Sequence, residues 1–396
     1  MKGSRELKVA ILVNNINICG GTHKQVLRLS EYLKREKIDF QLLTRYYEEE
    51  KTYKGFNNFK IDYLEKKPKI FKSKIKIIEK LVKKYIDFSE QVKLLKKINK
   101  NVDIVNVHDN NLSIVILLSK LLKKKIVWQI NDLPGCFLEG SAKSQKDTIG
   151  LKIRRIYYRW LINFVDIITV NVSKNKDRIK KHFNRTANVF YCGTDIDKKW
   201  IQHDKILNKK NINLISTGVF FPYRNYETLI YVVESLLQKN IECCLKIIGS
   251  TERDKDYSRK IQMMIKDKKL ENNISILGQL NELDFNKVYD KSDIFLFVNI
   301  DQSWGLAVFE AMARGLPVIV SESVGAVELL KDKENAFIVN PLDVEAITNV
   351  IENLKEDRIY QKISENAICS VKNFTWDKLY NSKMLNIFNE ITKRSK

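Results

Sequence analysis

A chain of 396 residues holds about two domains at roughly 150–200 residues each. A hydrophobic fraction of 44%, with only 14 Gly and 5 Pro, excludes wholesale disorder and long flexible linkers. The net charge of +22 is confined to one half: residues 1–200 carry 43 Lys/Arg against 21 Asp/Glu, whereas residues 201–396 carry 27 of each. Such asymmetry points to a polyanionic partner for the first half, namely a membrane surface, an anionic substrate or nucleic acid. Nucleic acid is disfavoured, because no stacking-aromatic motif or basic-helix signature accompanies the charge.

In chain order, short β-branched runs alternate with helix-like stretches. The first is Val9–Val13, too short for a secretory signal and read as a strand. The loop Asn14–Gln25 follows it, with the pair Gly20-Gly21 where a helix would open; alone, that pair is an ordinary strand-to-helix turn. Strands are predicted at Phe40–Thr44, Ile104–His108, Ile126–Ile130, Ile167–Val172 and Asn188–Tyr191. Between them, Lys60–Lys100 has 14 Lys against 5 Asp/Glu, interleaved with Ile70, Phe71, Ile75, Ile77, Ile78, Leu81 and Val82. That pattern predicts a basic amphipathic helix. The longest apolar run, Leu112–Leu122, is broken by Ser and Lys and falls short of the ~20 residues that span a bilayer.

A second series is predicted at Leu214–Val219, Leu245–Ile248, Ile274–Leu277, Ile294–Val298, Pro317–Val320 and Ala336–Val339. Nearly continuous apolar strands belong to parallel sheets covered on both faces, and alternation with helices gives a doubly wound α/β fold. Two series give two Rossmann-like domains, joined near Asp195–Asn211. Six scattered cysteines without a CxxC pair read as buried reduced thiols in a reducing compartment, with neither a disulfide framework nor a zinc site.

The densest chemical signal is Asp301-Gln-Ser-Trp-Gly-Leu-Ala-Val-Phe-Glu-Ala-Met-Ala-Arg-Gly-Leu-Pro-Val-Ile-Val320. It reads as a loop, a helix from about Leu306 to Arg314, a left-handed stop at Gly315 and a strand. Gly305 permits close backbone approach, and the free N–H groups and dipole of the helix start suit a diphosphate. Glu310, one turn further in, suits a ribose diol.

This string resembles the retaining glycosyltransferases of family 4, whose signature is an acidic residue, seven intervening residues, then Glu leading into "EAMA.G.PV". The match is Glu310-Ala-Met-Ala-Arg-Gly-Leu-Pro-Val318, with a departure at the first acidic position, which is Gln302. The resemblance implies α/β architecture of GT-B type: two Rossmann-like doubly wound domains facing across a cleft. It implies an acceptor-binding domain over 1–194, a nucleotide-sugar domain over 195–374, and a C-terminal helix, 375–396, packing back on the first. Gln302 would contact the donor sugar and Glu310 the ribose, with Ser303, Trp304, Gly305 and Leu306 lining the donor site. In Gly218-Val-Phe-Phe-Pro-Tyr-Arg224 the family's first cation is replaced by Val219. Gly218 would then border the diphosphate, and Arg224 alone would cradle it and stabilise the leaving group.

Gly20 and Gly21 correspond to the family's loop beside the diphosphate and acceptor. Asn131, before Asp132, stands where many relatives carry a His near the sugar, and His108-Asp109 is a possible substitute. The Asp195-Ile-Asp197 pair sits where the chain crosses between domains and reads as a linker, with no metal or other cofactor expected. The implied activity is retaining transfer of a hexose-type sugar from a nucleotide-sugar to a glycan or lipid-linked acceptor, in cell-surface polysaccharide synthesis. The cysteine pattern points to the cytoplasm, and the charge asymmetry with Lys60–Lys100 points to a peripheral place on the inner face of an anionic membrane. The alternatives are a non-catalytic partner subunit of an active transferase and a sugar-nucleotide epimerase.

Overall fold

The structure is a computed structural model and describes residues 7–137, 148–196, 207, 210–302 and 304–393. The chain divides into two compact units: residues up to 191 together with those from 379 on, and residues 192–378.

In the first unit, seven parallel strands lie in the order β3-β2-β1-β4-β5-β6-β7. They are β1 (Lys8–Asn15), β2 (Asp39–Tyr46), β3 (Ile61–Glu65), β4 (Ile104–Val107), β5 (Lys125–Ile130), β6 (Ile167–Val170) and β7 (Asn188–Val189). The connecting helices are α1 (Gly21–Arg35), α2 (Lys76–Lys97), α3 (Ser113–Leu121), α4 (Ile149–Leu161) and α5 (Ser173–Phe183). Val9–Val13, Ile104–Val107 and Ile126–Ile130 are buried throughout, the burial on both faces that a nearly continuous apolar run demands, with Asn106 and Gln129 as the polar exceptions. Strand order reverses once, between β1 and β4. Right-handed crossovers therefore put α1 on one face and α2, α3 and α4 side by side on the other, and α3 packs against both of its neighbours.

In the second unit, six parallel strands lie in the order β10-β9-β8-β11-β12-β13. They are β8 (Ile212–Thr217), β9 (Cys243–Ile248), β10 (Ile274–Gly278), β11 (Ile294–Phe297), β12 (Val318–Ser321) and β13 (Phe337–Val339). Its helices are α6 (Tyr226–Gln238), α7 (Lys255–Asp267), α8 (Glu282–Asp290), α9 (Leu306–Met312), α10 (Val344–Asn353) and α11 (Asp357–Val371). The last helix, α12 (Ser382–Lys393), belongs to the first unit, where Tyr380 just before it meets Phe190 edge-on with ring centroids 6.0 Å apart.

Three expectations need correction. The segment Lys60–Lys100 is not one helix: it opens with β3, and α2 begins only at Lys76. Ile61–Glu65 is a half-exposed edge strand, so it lacks the apolar run that marked the others. The helix expected over Leu306–Arg314 ends at Met312, with Gly315 at φ +70° as the left-handed stop. None of the six cysteines is in a disulfide, but Cys19 and Cys369 are exposed and Cys244 is half-buried rather than buried.

The C-terminal half of α2 is fastened by a buried charge cluster. Arg45, at the end of β2, donates to Asp87 at 2.6 Å and to Glu90 at 2.5 Å, and Tyr46 Oη donates to Glu90 at 2.5 Å. Burial, reinforced by Glu90, pushes the Tyr46 phenol up to about 12. Glu90 is 5% exposed, and Arg45 is the cation it pairs with. Replacing Arg45 by Met should cost about 3–5 kcal/mol, the usual penalty for stranding a buried charge. Chemical denaturation reads this out, and Arg45→Met/Glu90→Leu should recover most of the loss.

Candidate functional site

In the second unit the candidate site gathers at the C-terminal ends of β8 and β11, where ligands of open α/β sheets bind. β8 ends in Thr217, and Gly218 follows at φ +155°. A Cβ on Gly218 would stand 2.5 Å from the guanidinium carbon of Arg224, so only glycine leaves the cation room. The chain then makes a 3-10 turn over Pro222–Arg224 and enters α6 through Asn225, which is left-handed at φ +55°. Asn225 Nδ2 donates to the carbonyls of Val298 and Pro341 at 3.1 and 2.7 Å. That ties the Arg224 turn to the end of β11.

Arg224 thereby reaches the loop after β11. Its Nη1 donates to Gln302 Oε1 at 2.9 Å. Asn299 adjoins both residues, its Nδ2 donating to the same Gln302 Oε1. The guanidinium carbon lies 5.1 Å from the Tyr223 ring centroid and 5.8 Å from that of Phe297, within cation–π range. Phe297 also walls Gly305, whose Cβ would fall 3.1 Å from its ring edge; Gly305 has φ +130° and caps α9. Gly218, Arg224, Gln302 and Gly305 therefore share one place. Trp304 is buried and stacks on Phe309 with centroids 5.2 Å apart, and Leu306 begins α9. Glu310 lies four residues further along α9, half-buried, and its carbonyl accepts from Arg314 Nη1 at 2.8 Å. Ser303 and Asp197 lie outside the described residues.

Several contributors carried no separate signal in the sequence. Gly249 lets two strand-end loops touch, since its Cβ would come within 1.9 Å of the Gly218 carbonyl oxygen. Ser323 accepts from the Asp301 N–H and donates to the Asn299 carbonyl, each at 3.1 Å. Asn225 also went unread, although an Asn just before an apolar helix is, after Gly, the residue type that most readily adopts a left-handed cap.

In the first unit, Gly20 caps α1 and Gly21 begins it. A cleft of about 310 Å³ is lined by Thr22, His108, Asp109, Asn131, Asp132 and Arg154, among others. Asn131 is consumed by the fold around it. Its Nδ2 donates to Thr22 and Gln25 at 3.0 and 2.8 Å, and its Oδ1 accepts from Gln129 at 2.9 Å. The Asp132 carbonyl accepts from Asn110 at 2.8 Å. His108 is 2% exposed and its Nε2 pairs with Asn106 Oδ1. Burial lowers His108 to about 3, so it is a neutral imidazole and not a proton shuttle near neutrality. Burial acts oppositely on Asp109, raising its carboxyl, while the Asn111 N–H donates to it at 2.7 Å. Among the described residues no three His, Cys, Asp or Glu side chains gather as a metal cluster.

The His108 shift has a consequence for stability. The unfolded chain titrates His near about 6.5, so between there and pH 3 the unfolded state binds the extra proton and stability falls as pH falls. Melting curves should therefore show His108→Gln with a shallower acid-side loss than the parent, by up to about 1.4 kcal/mol per pH unit.

Comparison with known proteins places both units. A profile described as "Glycosyltransferase Family 4" matches residues 19–198, and one described as "Glycosyl transferases group 1" matches residues 197–369. An O-antigen chain mannosyltransferase of Salmonella typhimurium is 25% identical over 52% of this chain and 56% of its own length. An Escherichia coli UDP-Gal:alpha-D-GlcNAc-diphosphoundecaprenol alpha-1,3-galactosyltransferase is 24% identical over 69% of this chain and 71% of its own. For two of the curated relatives the match spans only about half of their length, 45% and 56%. Among solved structures, Anabaena HepE in complex with UDP and glucose has a TM-score of 0.74 at 16% identity. That match covers 97% of this chain and 100% of HepE.

Proposed function

This chain belongs to the group 1, family 4 glycosyltransferases of GT-B fold, and we propose that it moves a hexose-type sugar from a nucleotide-sugar to a glycan or lipid-linked acceptor, with retention of configuration. The observation that carries this reading is the state of Arg224. Its side-chain hydrogen bond ends on the neutral amide oxygen of Gln302, to which Asn299 also donates. Among the described residues no carboxylate pairs with it. A half-buried cation so arranged keeps its charge for an incoming anion.

The departure at Gln302 fits this economy of cations. A carboxylate there would neutralise the one guanidinium that remains once Val219 occupies the place of the other. The amide instead orients Arg224 and leaves its remaining N–H groups for phosphate oxygens, which its planar fork suits. As the bond from sugar to diphosphate breaks, negative charge grows on the leaving group. Arg224 and the start of α9 then stabilise it most where it is largest, in the transition state. Glu310 is proposed to hold the ribose hydroxyls. The Anabaena relative in complex with UDP and glucose supports a nucleotide-sugar donor. The Escherichia coli relative, whose name specifies a diphosphoundecaprenol-linked acceptor, supports a lipid-linked acceptor class.

Thermal stabilisation across a panel of nucleotide-sugars tests donor binding, because a ligand specific to the folded state raises stability by RT ln(1 + [L]/Kd). With the donor so identified, Glu310→Ala should lower kcat/KM by about 2 kcal/mol, roughly 30-fold. Unchanged kinetics in a folded variant would refute the ribose role. Donor binding without turnover on a broad acceptor panel would favour the non-catalytic partner instead.

A second expectation concerns metals. With Arg224 and the helix start supplying positive charge, EDTA should leave transfer intact. Loss of activity restored by manganese or magnesium would overturn that assignment.

A further inference from the structure

The layer formed by α2, α3 and α4 presents two apolar stripes to solvent. On α4, Ile149, Ile153, Ile156 and Trp160 are 79%, 60%, 65% and 46% exposed. Their spacing of four, three and four residues makes a single line along the helix, opposite the buried Tyr158 and Leu161. On α2, Ile78, Leu81, Tyr85 and Phe88 repeat the pattern and are also exposed. The Arg45 cluster holds only the C-terminal part of α2, at Asp87 and Glu90. Between the stripes, α3 ends in the exposed Leu121 and Leu122. Soluble proteins do not leave aligned large side chains in water without a partner for them.

The charges around the stripes say which partner. Helix α4 carries Lys152, Arg154, Arg155 and Arg159 and no acidic residue. Arg154 lines the cleft, and Arg155 and Arg159 each donate through Nε to a carbonyl, of Cys136 and His182, which leaves Lys152 as the cation on that helix whose side chain has no partner among the described residues. Helix α2 carries seven lysines against Glu79, Asp87 and Glu90, with Lys83 paired to Glu79. At the end of α3, Lys120 pairs with Asp166 and Lys124 donates to the Val102 carbonyl, while Lys123 lies beside them. A second copy of the chain would set cations against cations across a two-fold axis. Nucleic acid would satisfy the cations but leave the isoleucines unpartnered. An interfacial lipid layer satisfies both at once: headgroup phosphates take the Lys and Arg ends, and the apolar stripes sink to the acyl boundary.

We propose that this three-helix face is a membrane-docking surface specific for anionic lipid, with α4 as its inserting element. The proposal goes beyond the transferase reading and does not depend on it, since it can be tested without a donor. The four α4 side chains lie on one side of one helix, so they can enter the interface together. Docking in this way would hold the first unit against the surface in which a lipid-linked acceptor resides.

Co-sedimentation with phosphatidylcholine vesicles, with and without phosphatidylglycerol, tests it on the full chain. Binding should require phosphatidylglycerol and weaken as salt rises. Ile153→Glu/Ile156→Glu should weaken it about tenfold or more, and Ile153→Ser/Ile156→Ser by less, because loss of apolar insertion then acts without added repulsion. Both pairs are solvent-exposed, so melting temperatures should not move. Brominated lipid should quench fluorescence in the parent and lose that part of the quenching in Trp160→Phe. Equal binding to neutral vesicles, or no binding to anionic ones at low salt, would overturn the proposal. So would affinity unchanged by either pair of substitutions, which would mean attachment by charge alone. Light scattering supplies the remaining check: a dimer abolished by Ile153→Glu/Ile156→Glu would assign the face to a second copy.

Discussion

Everything at the candidate donor site depends on a cation lying flat against a backbone that has no side chain. Arg224 occupies the space that a Cβ on Gly218 would fill, and its guanidinium is framed by Tyr223, Phe297 and the Gln302 amide. A charge removed from water is costly unless paired, yet a carboxylate partner would leave it nothing to give a ligand. The compromise is a planar cation satisfied in part by a neutral acceptor and aromatic faces. Gly249 and Asn225 serve the same end, one by letting two loops touch and the other by tying the Arg224 turn to Val298 and Pro341.

The first unit distributes its polar groups differently. Its strand ends also open into a cleft, but the polar side chains there are largely engaged in holding the cleft's own shape. Asn131 bonds across from β5 to α1, and His108 is neutral and buried against Asn106. Its exposed apolar side chains and many of its lysines lie on its helical face. The excess of Lys and Arg in residues 1–200 is not spread evenly over a sphere, because three crossovers of one hand bring α2, α3 and α4 into a single layer. Chain topology thus turns a compositional bias into a directional one.

Most strands were legible because they are nearly continuous apolar runs, and such runs in parallel sheets are buried on both faces. Val9–Val13, Leu245–Ile248 and Ile294–Val298 all lie within or beside the observed strands. Ile61–Glu65 escaped because an edge strand needs only one covered face, so its pattern merges with the lysine-rich stretch that follows. The exposed stripe on α4 escaped for a related reason: Ile149, Ile153, Ile156 and Trp160 have the spacing of a buried helix face, and nothing in the residues themselves tells a buried stripe from an exposed one.

By itself the sequence determined the two α/β series, the charge asymmetry, and the Gly305–Pro317 string, because burial, net charge and backbone stops are properties of local residues. Only the tertiary structure decided that Gln302 and Arg224, 78 positions apart, are bonded to each other. It likewise decided that Asn131 is occupied, that His108 is neutral, and that the apolar side of α4 faces out. Each of those facts depends on which strands are neighbours and which faces are covered. Neighbourhood of that kind is set by the crossover order of the sheet, which no single stretch of residues contains.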